Sequence, residues 1–258
     1  MQITGNTILI TGGGSGIGLA LAEEFRKLGN SVIVGNRSRD RLKRAQESGF
    51  HAYQMDMANE QSIAASGRQI LSEHPQLNGV IHCAGIMKTE SLVTAPSPET
   101  QKETMAINLL GPMLLNNLLI PALLKKSSPF IMTVSSGLAF IPLAMYPAYC
   151  ASKAAIHSYT ESLRYQLKET AIQVMELAPP YVQTHLTGEH QASDPMAMPL
   201  DEFIQEVMQI LKEDPRAEEI LVQRVEMLRF AESSGPDKYR KFYEEMNDGF
   251  TKARAGVF

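Results

Sequence analysis

A single-domain α/β fold, a doubly wound parallel sheet with helices on both faces, is predicted by three observations. Short apolar runs alternate with segments of helical period along the chain. A glycine-rich turn follows the first of those runs and opens the first helical segment. Finally, 258 residues at 44% hydrophobic content are enough to bury one large core.

Taken in order, the expected strands are Thr7–Ile10, Ser31–Val34, Ala52–Gln54, Gly79–His82, Phe130–Val134, Gln173–Leu177 and Ile220–Gln223. Between them Gly18–Leu28, Arg39–Ser48, Glu60–His74, Glu99–Leu124 and Tyr149–Glu169 carry the helical pattern. Strand–helix–strand repetition with right-handed crossovers leads to a parallel sheet covered on both sides. Residues 184–199, rich in Pro, Met and polar side chains, read as a mobile loop within one domain spanning 1–258. Val225–Phe230 and Lys238–Met246 are expected to add helices at about 225–250.

Composition excludes several functions. A net charge of −4 offers no global basic field for nucleic acid or an anionic membrane surface. Cys83 and Cys150 are too few for a disulfide framework and fit a reducing, cytoplasmic setting. The first strand begins too early for a secretory leader. Ile107–Leu124 is apolar, but Asn108, Gly111, Pro112, Asn116, Asn117 and Pro121 interrupt it, so a buried or interface helix is expected and no membrane span. The six histidines (51, 74, 82, 157, 185, 190) form no helical i, i+4 pair with an acidic neighbour, and no metal site is expected.

Two motifs carry chemistry. Thr11-Gly12-Gly13-Gly14-Ser15-Gly16-Ile17-Gly18 sits between a strand and a helix. Glycines there let the backbone approach a pyrophosphate, and the helix N-terminus offers unpaired N–H groups, so a dinucleotide is the natural occupant. Tyr149 and Lys153 fall one helical turn apart, which sets an ammonium beside a phenol and is expected to bring its pKa toward the working pH. Ser136, after the strand Phe130–Val134, can return to Tyr149 so that two hydroxyls meet one substrate oxygen. A Tyr four residues before a Lys is by itself a common helical accident, so the glycine motif decides its meaning.

Together, Thr11 to Gly18, Ser136 and Tyr149-x-x-x-Lys153 resemble the short-chain dehydrogenase/reductase family in its shorter branch, a Rossmann-type fold. The segment from Ser135 to Phe140 with Tyr149 to Ser158 is also similar to a bacterial subgroup named after a dehydrogenase of the D-alanyl-lipoteichoic-acid operon. The resemblance implies an active-site Asn, matched by Asn108, which would complete a set with Ser136, Tyr149 and Lys153. It implies cofactor contacts at Gly12, Gly14, Ser15, Gly16, Ile17, Gly18, Asp56, Met57, Ala84, Gly85, Tyr149, Lys153, Pro179, Val182 and Thr184. It further implies a homodimer or homotetramer built on the helices bearing Asn108 and Tyr149. The sequence departs from the family at His82-Cys83, where two asparagines are usual, at Pro179-Pro180 in place of Pro-Gly, and in a tail without a Gly-rich ending.

The implied activity is hydride transfer between a nicotinamide and a small carbonyl or secondary alcohol. Asn36 stands where an NAD-preferring relative would offer Asp to the ribose, and Arg37 follows with a planar donor fork suited to a 2′-phosphate, so NADP is expected over NAD. Ser15 lacks the basic side chain that many NADP-preferring relatives carry there. Leu138, Phe140, Tyr146, Tyr181, Leu186 and Met196 are expected to form an apolar pocket, with His185 near the substrate. Tyr146 and Ser135 are the competing choices for Tyr149 and Ser136; Tyr146 has Cys150 four residues on, and Ser135 misses the family spacing by one. The alternative is a catalytically silent nucleotide-binding sensor, which would have no need of the acid.

Overall fold

The computed structural model describes residues 1–253. Strands β1 (Thr7–Thr11), β2 (Ser31–Asn36), β3 (His51–Gln54), β4 (Gly79–His82), β5 (Phe130–Val134), β6 (Gln173–Leu177) and β7 (Glu219–Ile220) form one sheet in the order β3-β2-β1-β4-β5-β6-β7. Every pairing is parallel. The order reverses between β1 and β4, and in such sheets ligands bind beyond the strand C-termini at that switch.

The helices are α1 (Gly16–Lys27), α2 (Arg39–Glu47), α3 (Glu60–Glu73), α4 (Pro98–Met105), α5 (Gly111–Leu123), α6 (Pro147–Leu167), α7 (Glu189–Ala192), α8 (Leu200–Glu213), α9 (Gln223–Arg229) and α10 (Pro236–Ala253). Successive strand residues face opposite sides, so each strand feeds two cores. Ile8, Ile10, Val32 and Val34 pack with Leu21 and Phe25 of α1 and with Phe203, Val207 and Leu211 of α8. Leu9, Ile33, Val80 and Ile131 pack with Ile63 and Ile70 of α3, Leu115 and Leu119 of α5, and Leu163 of α6. Burial on both faces is why the strands read as continuous apolar runs.

Three elements differ from expectation. Helix α8 was absent from the expected set, although Phe203, Ile204, Val207, Met208 and Leu211 repeat with helical period and are all buried. Strand β7 is only Glu219–Ile220, because the chain turns into α9 at Gln223. The expected helix Glu99–Leu124 is divided by a π-helical turn, Ala106–Leu110. Pro112, which has no N–H to give to the preceding turn, stands just beyond it. Gly111 lets this helix pass close under the loop after β3, where a Cβ would lie 2.5 Å from the Met57 carbonyl oxygen.

A row of polar side chains crosses this sheet near its C-terminal edge. Thr11, His82, Thr133, Glu176 and Glu219 are neighbours in register on β1, β4, β5, β6 and β7. Each has a local partner, although His82 Nδ1 and one Glu176 oxygen are buried without one among the described residues. The Thr11 hydroxyl accepts from the Ala84 N–H at 3.2 Å, and His82 Nε2 meets Asn116 Oδ1 at 2.8 Å. Thr133 meets Thr160 at 2.7 Å, Glu176 meets His157 at 2.8 Å, and Glu219 accepts from Arg229 at 2.8 Å.

Burial pushes the His82 imidazole down to about 4 from an ordinary 6.5, while the Asn116 bond opposes that shift. In the unfolded chain the same group charges near pH 6.5. The folded state therefore binds fewer protons between these values, and its contribution to stability is whole above pH 6.5 and is lost as pH falls toward 4. Acidification over that window should cost on the order of 3 kcal/mol from this residue. Denaturant melts at pH 7 and pH 4.5 should show the acid loss shrink in His82→Gln, which cannot titrate; an equal loss in both proteins would contradict the assignment.

Candidate active site

The first half of the site is built by backbone. Gly12 and Gly16 have φ of 71° and 51°, a region that side-chain-bearing residues avoid. A Cβ on Gly12 would lie 2.7 Å from Ala84 Cα, and one on Gly18 would lie 2.6 Å from the Gly12 carbonyl oxygen. The loop therefore nests against the end of β4 as only glycine permits. Ser15, at the N-cap of α1, makes no side-chain cap bond, so N–H groups of the first turn remain available to an anion. A dinucleotide phosphate fits this cradle.

From that turn a single cleft of about 860 Å³ runs across the strand ends. Gly12, Ser15, Gly16, Ile17, Gly18, Asn36, Arg37, Asp56, Met57, Ala84, Gly85, Pro179, Val182 and Thr184 all line it. Gly14 is the exception among the expected contacts. It lies off the lining, where a Cβ would stand 2.9 Å from the Asn36 amide nitrogen and 3.0 Å from Arg41 Cβ, so its role is to let the loop pack on β2 and α2. Asn36 Oδ1 accepts from the Ser38 N–H at 2.9 Å, and Asp56 Oδ1 accepts from the Ala58 N–H at 2.9 Å. Both side chains shape their own turns.

The second half brings together residues distant in sequence. Ser136 follows β5, hydrogen-bonds to Tyr149, and accepts from the Leu138 N–H at 3.1 Å. Tyr149 and Lys153 lie one turn apart on α6, with the Lys153 ammonium 5.6 Å from the centre of the phenol ring. Lys153 donates to the Val134 carbonyl at 2.7 Å. Asn108 does not line the cleft. From the π-helical turn it accepts from the Ile86 N–H at 2.9 Å and donates to the Ile86 carbonyl and the Ser152 hydroxyl, each at 3.0 Å. It ties the strand-end loop to α6 from behind.

The electrostatics correct one expectation. Lys153 was expected to lower the Tyr149 pKa, but burial is the largest influence and raises it, the Ser136 hydrogen bond opposing. Tyr149 is thus a firmly protonated phenol. Burial also pulls Lys153 down to about 8, against upward pulls from Cys83 and Glu176. Cys83, itself pushed up to about 11 by burial, is a neutral thiol at pH 7.

The apolar end is lined by Leu138, Leu143, Tyr146, Tyr181, Leu186 and Met196, with His185 at its side. Phe140, expected there, instead faces away, with its ring 4.8 Å from His157 and 4.6 Å from the Arg229 guanidinium. Of the competing choices, Ser135 lines the cleft with its hydroxyl buried and without a hydrogen-bond partner among the described residues, and Tyr146 is a wall residue. Residues 184–199 are anchored: Gln183 and Met198 are joined by a backbone bond of 2.8 Å, and the buried Gln191 amide donates to the Val182 carbonyl at 2.8 Å.

Several lining residues went unnamed in the sequence. Ser38 is one, beside Arg37 and Arg41 at the β2 end; Arg224, Met227 and Leu228 of α9 and Phe242, Met246 and Phe250 of α10 are others, and line the cleft as well. Asn247 fastens α10 by accepting from the Ala144 N–H at 2.6 Å and donating to the Pro142 carbonyl at 3.2 Å. His157 and His185 each have an acidic partner four residues on, Glu161 at 3.9 Å and Glu189 at 3.3 Å. His157, Glu176 and Glu219 even lie close enough to hold a cation. The Arg229 guanidinium, 2.8 Å from Glu219, already supplies positive charge there.

Comparison with known proteins agrees with this geometry. The short chain dehydrogenase family model matches residues 6–195. An uncharacterized oxidoreductase, DltE, of Bacillus subtilis (strain 168) is 39% identical over 259 residues, covering 96% of this chain and 98% of its own. Among solved structures, a short chain dehydrogenase from Burkholderia cenocepacia J2315 in complex with NADP superposes with a TM-score of 0.79 at 22% identity, covering 96% of this chain and 99% of its own. A short chain dehydrogenase/reductase from Burkholderia phymatum in complex with NAD also reaches 0.79, at 18% identity over 91% and 95% of the two chains. With the family pattern running from the residue before β1 to the loop beyond α7, this chain belongs to the short-chain dehydrogenase family and is an NAD(P)-dependent oxidoreductase.

Proposed function

We propose that this enzyme uses NADPH to reduce an apolar ketone or aldehyde, and runs in reverse as an alcohol dehydrogenase. One observation carries the reading: the hydrogen-bonded Ser136 and Tyr149 hydroxyls, with the Lys153 ammonium beside them, stand at the inner end of a cleft whose other end is the glycine turn. The nicotinamide, when bound, supplies or accepts the hydride. The glycine turn and the α1 N-terminus would hold its phosphates, Val182 and Thr184 its carboxamide, and Lys153 its ribose.

The protein's share of the chemistry then follows from the protonation states. Tyr149, kept neutral by burial, has a proton to give to the carbonyl oxygen, and Ser136 donates a second hydrogen bond to that oxygen. Developing negative charge on the phenol is met by Lys153. Asn108 holds the loop and helix that carry these groups in register. A silent sensor would have no use for this buried acid. Tyr149→Phe should cut turnover by about 10²–10⁴-fold while NADPH still binds. Near-normal turnover in that variant would remove the acid assignment.

For cofactor choice, Arg37, Ser38 and Arg41 converge on the cleft beside the N-terminus of α2, with no carboxylate at position 36. Arg37 touches Glu103 at only 3.4 Å, whereas Lys88 holds the same carboxylate at 2.6 Å. The guanidinium can thus turn to a 2′-phosphate at small cost. Arg37→Ala should lower the NADPH-over-NADH preference by roughly 10–100-fold, the value of a hydrogen bond to a charged group. Dissociation constants for both cofactors, measured on wild type and variant, decide it; an unchanged ratio defeats the phosphate-reading role.

The substrate class follows from the apolar end. Leu138, Leu143, Tyr181 and Met196 with Met246 and Phe250 leave few polar groups to meet a sugar, and flexible Met side chains adapt to varied apolar shapes. We place the catalytic machinery in one domain, with residues 184–199 as the substrate loop and α10 as its facing wall. The exposed Leu110 and Leu124, which flank α5, and Tyr165 on α6 support a homodimer or homotetramer through those helices. Asn247→Ala should raise KM for bulky apolar ketones by about 10-fold, from the loss of two hydrogen bonds holding the wall, and leave the NADPH dissociation constant unchanged. Steady-state kinetics with a ketone series tests this, and turnover of polyhydroxylated compounds alone would contradict the substrate class.

A further inference from the structure

Helix α6 carries a stripe of ionisable groups at four-residue spacing: Tyr149, Lys153, His157 and Glu161. The first two belong to the proposed reaction. The next pair has no place in it. His157 is nevertheless bonded at 2.8 Å to Glu176, a carboxylate only 1% exposed on β6. Glu176 is the strand neighbour of Thr133, and Lys153 donates to the carbonyl of the very next residue, Val134. Adjacent strands lie roughly 4.8 Å apart, so the buried carboxylate and the buried ammonium are within electrostatic reach.

A buried ammonium needs a counter-charge as well as a hydrogen bond. The groups that act on Lys153 to favour its charged form are Cys83 and Glu176. Cys83 is a neutral thiol at working pH. That leaves Glu176. Of the neighbouring acids, Glu219 of β7 is held by Arg229 of α9 at 2.8 Å, and His157 lies between Glu161 at 3.9 Å and Glu176 at 2.8 Å. One oxygen of Glu176 accepts from His157, while the other has no hydrogen-bond partner among the described residues. Glu219 is thus matched by Arg229, while Glu176 keeps one buried oxygen free to face the Lys153 ammonium.

Resting on the oxidoreductase reading above, we propose that Glu176, held in place by His157, is a positioning residue that supplies the counter-charge of the Lys153 ammonium. Nothing passes through Glu176 chemically. It acts by keeping Lys153 charged as the site closes around substrate, and His157 fixes its carboxylate against α6. Removing the charge should lower the pH at which Lys153 becomes neutral. A partner carboxylate in this range typically shifts such a group by about one unit or more.

The test is the pH dependence of NADPH binding from pH 7 to 10, followed by fluorescence titration on the full chain. Wild-type binding should weaken as Lys153 loses its proton near pH 8. In Glu176→Gln the same fall should come about one unit lower, with affinity at pH 7 reduced less than at pH 8.5. Glu219→Gln, which removes a charge already matched by Arg229, should leave the curve in place. A Glu176→Gln curve that overlies wild type, or an equal displacement in Glu219→Gln, overturns the proposal. Should Glu176→Gln fail to fold, the double variant Glu176→Met/His157→Leu removes the buried pair without leaving a lone charge and carries the same expected displacement. The readout is separable from the reading it rests on: full turnover in Tyr149→Phe would refute the acid assignment, while the binding curves would still report on Glu176.

Discussion

Keeping an ammonium group inside a protein is the constraint around which the catalytic half of this fold is arranged. Lys153 is 5% exposed, and its retention as a cation requires a carbonyl acceptor, a nearby negative charge and a fixed helix. The end of β5 provides the acceptor at Val134, and the same strand end, two residues on, provides Ser136. Helix α6 must then run at a set height over the sheet. Asn108 holds it there through Ser152, and Thr133 does so through Thr160, one bond on either side of the lysine. Moving any of these supports would alter the ammonium first and the phenol through it.

The two halves of the cleft solve opposite problems by opposite means. At the phosphate end the chain removes side chains, since Gly12, Gly16 and Gly18 leave backbone N–H groups exposed to an anion. At the reacting end it packs side chains around the phenol and the ammonium, and burial then sets the protonation states. A neutral phenol beside a weakly held ammonium is poised to give a proton and receive it back. The direction in which burial moves each group is opposite, because one is an acid neutral when protonated and the other a base charged when protonated.

Much of this was legible in the sequence, and the failures have physical causes. The strands were readable because a sheet buried on both faces demands unbroken apolar runs, as in Thr7 to Ile10 and Phe130 to Val134. Tyr149 and Lys153 could be paired by helical spacing alone, and the glycine turn by its place between strand and helix. Helix α8 had a clear period in Phe203, Val207 and Leu211, and the signal was available though unread. The direction of the Tyr149 shift was not readable, because it depends on how much protein surrounds the ring and not on which residue lies four positions away. Phe140 was misplaced for a similar reason: a short 3₁₀ turn at Gly137–Ala139 rotates the following side chain toward His157 and Arg229. Glu176 looks like an isolated acid in an apolar strand, and only the sheet register brings it beside Thr133 and α6.

Helix α10 has no buried residue, yet it presents Phe242, Met246 and Phe250 to the cleft and is fastened to the 142–144 segment by one asparagine. This wall of the cleft is therefore an attachment laid on a finished sheet. Met246 and Phe250 on its inner face pack against the buried Leu143, Tyr146, Tyr149 and Cys150, so this wall is tied to the reacting helix and not to the strands. A change of volume at Met246 or Phe250 would therefore be felt at the phenol ring of Tyr149 before it is felt in the sheet.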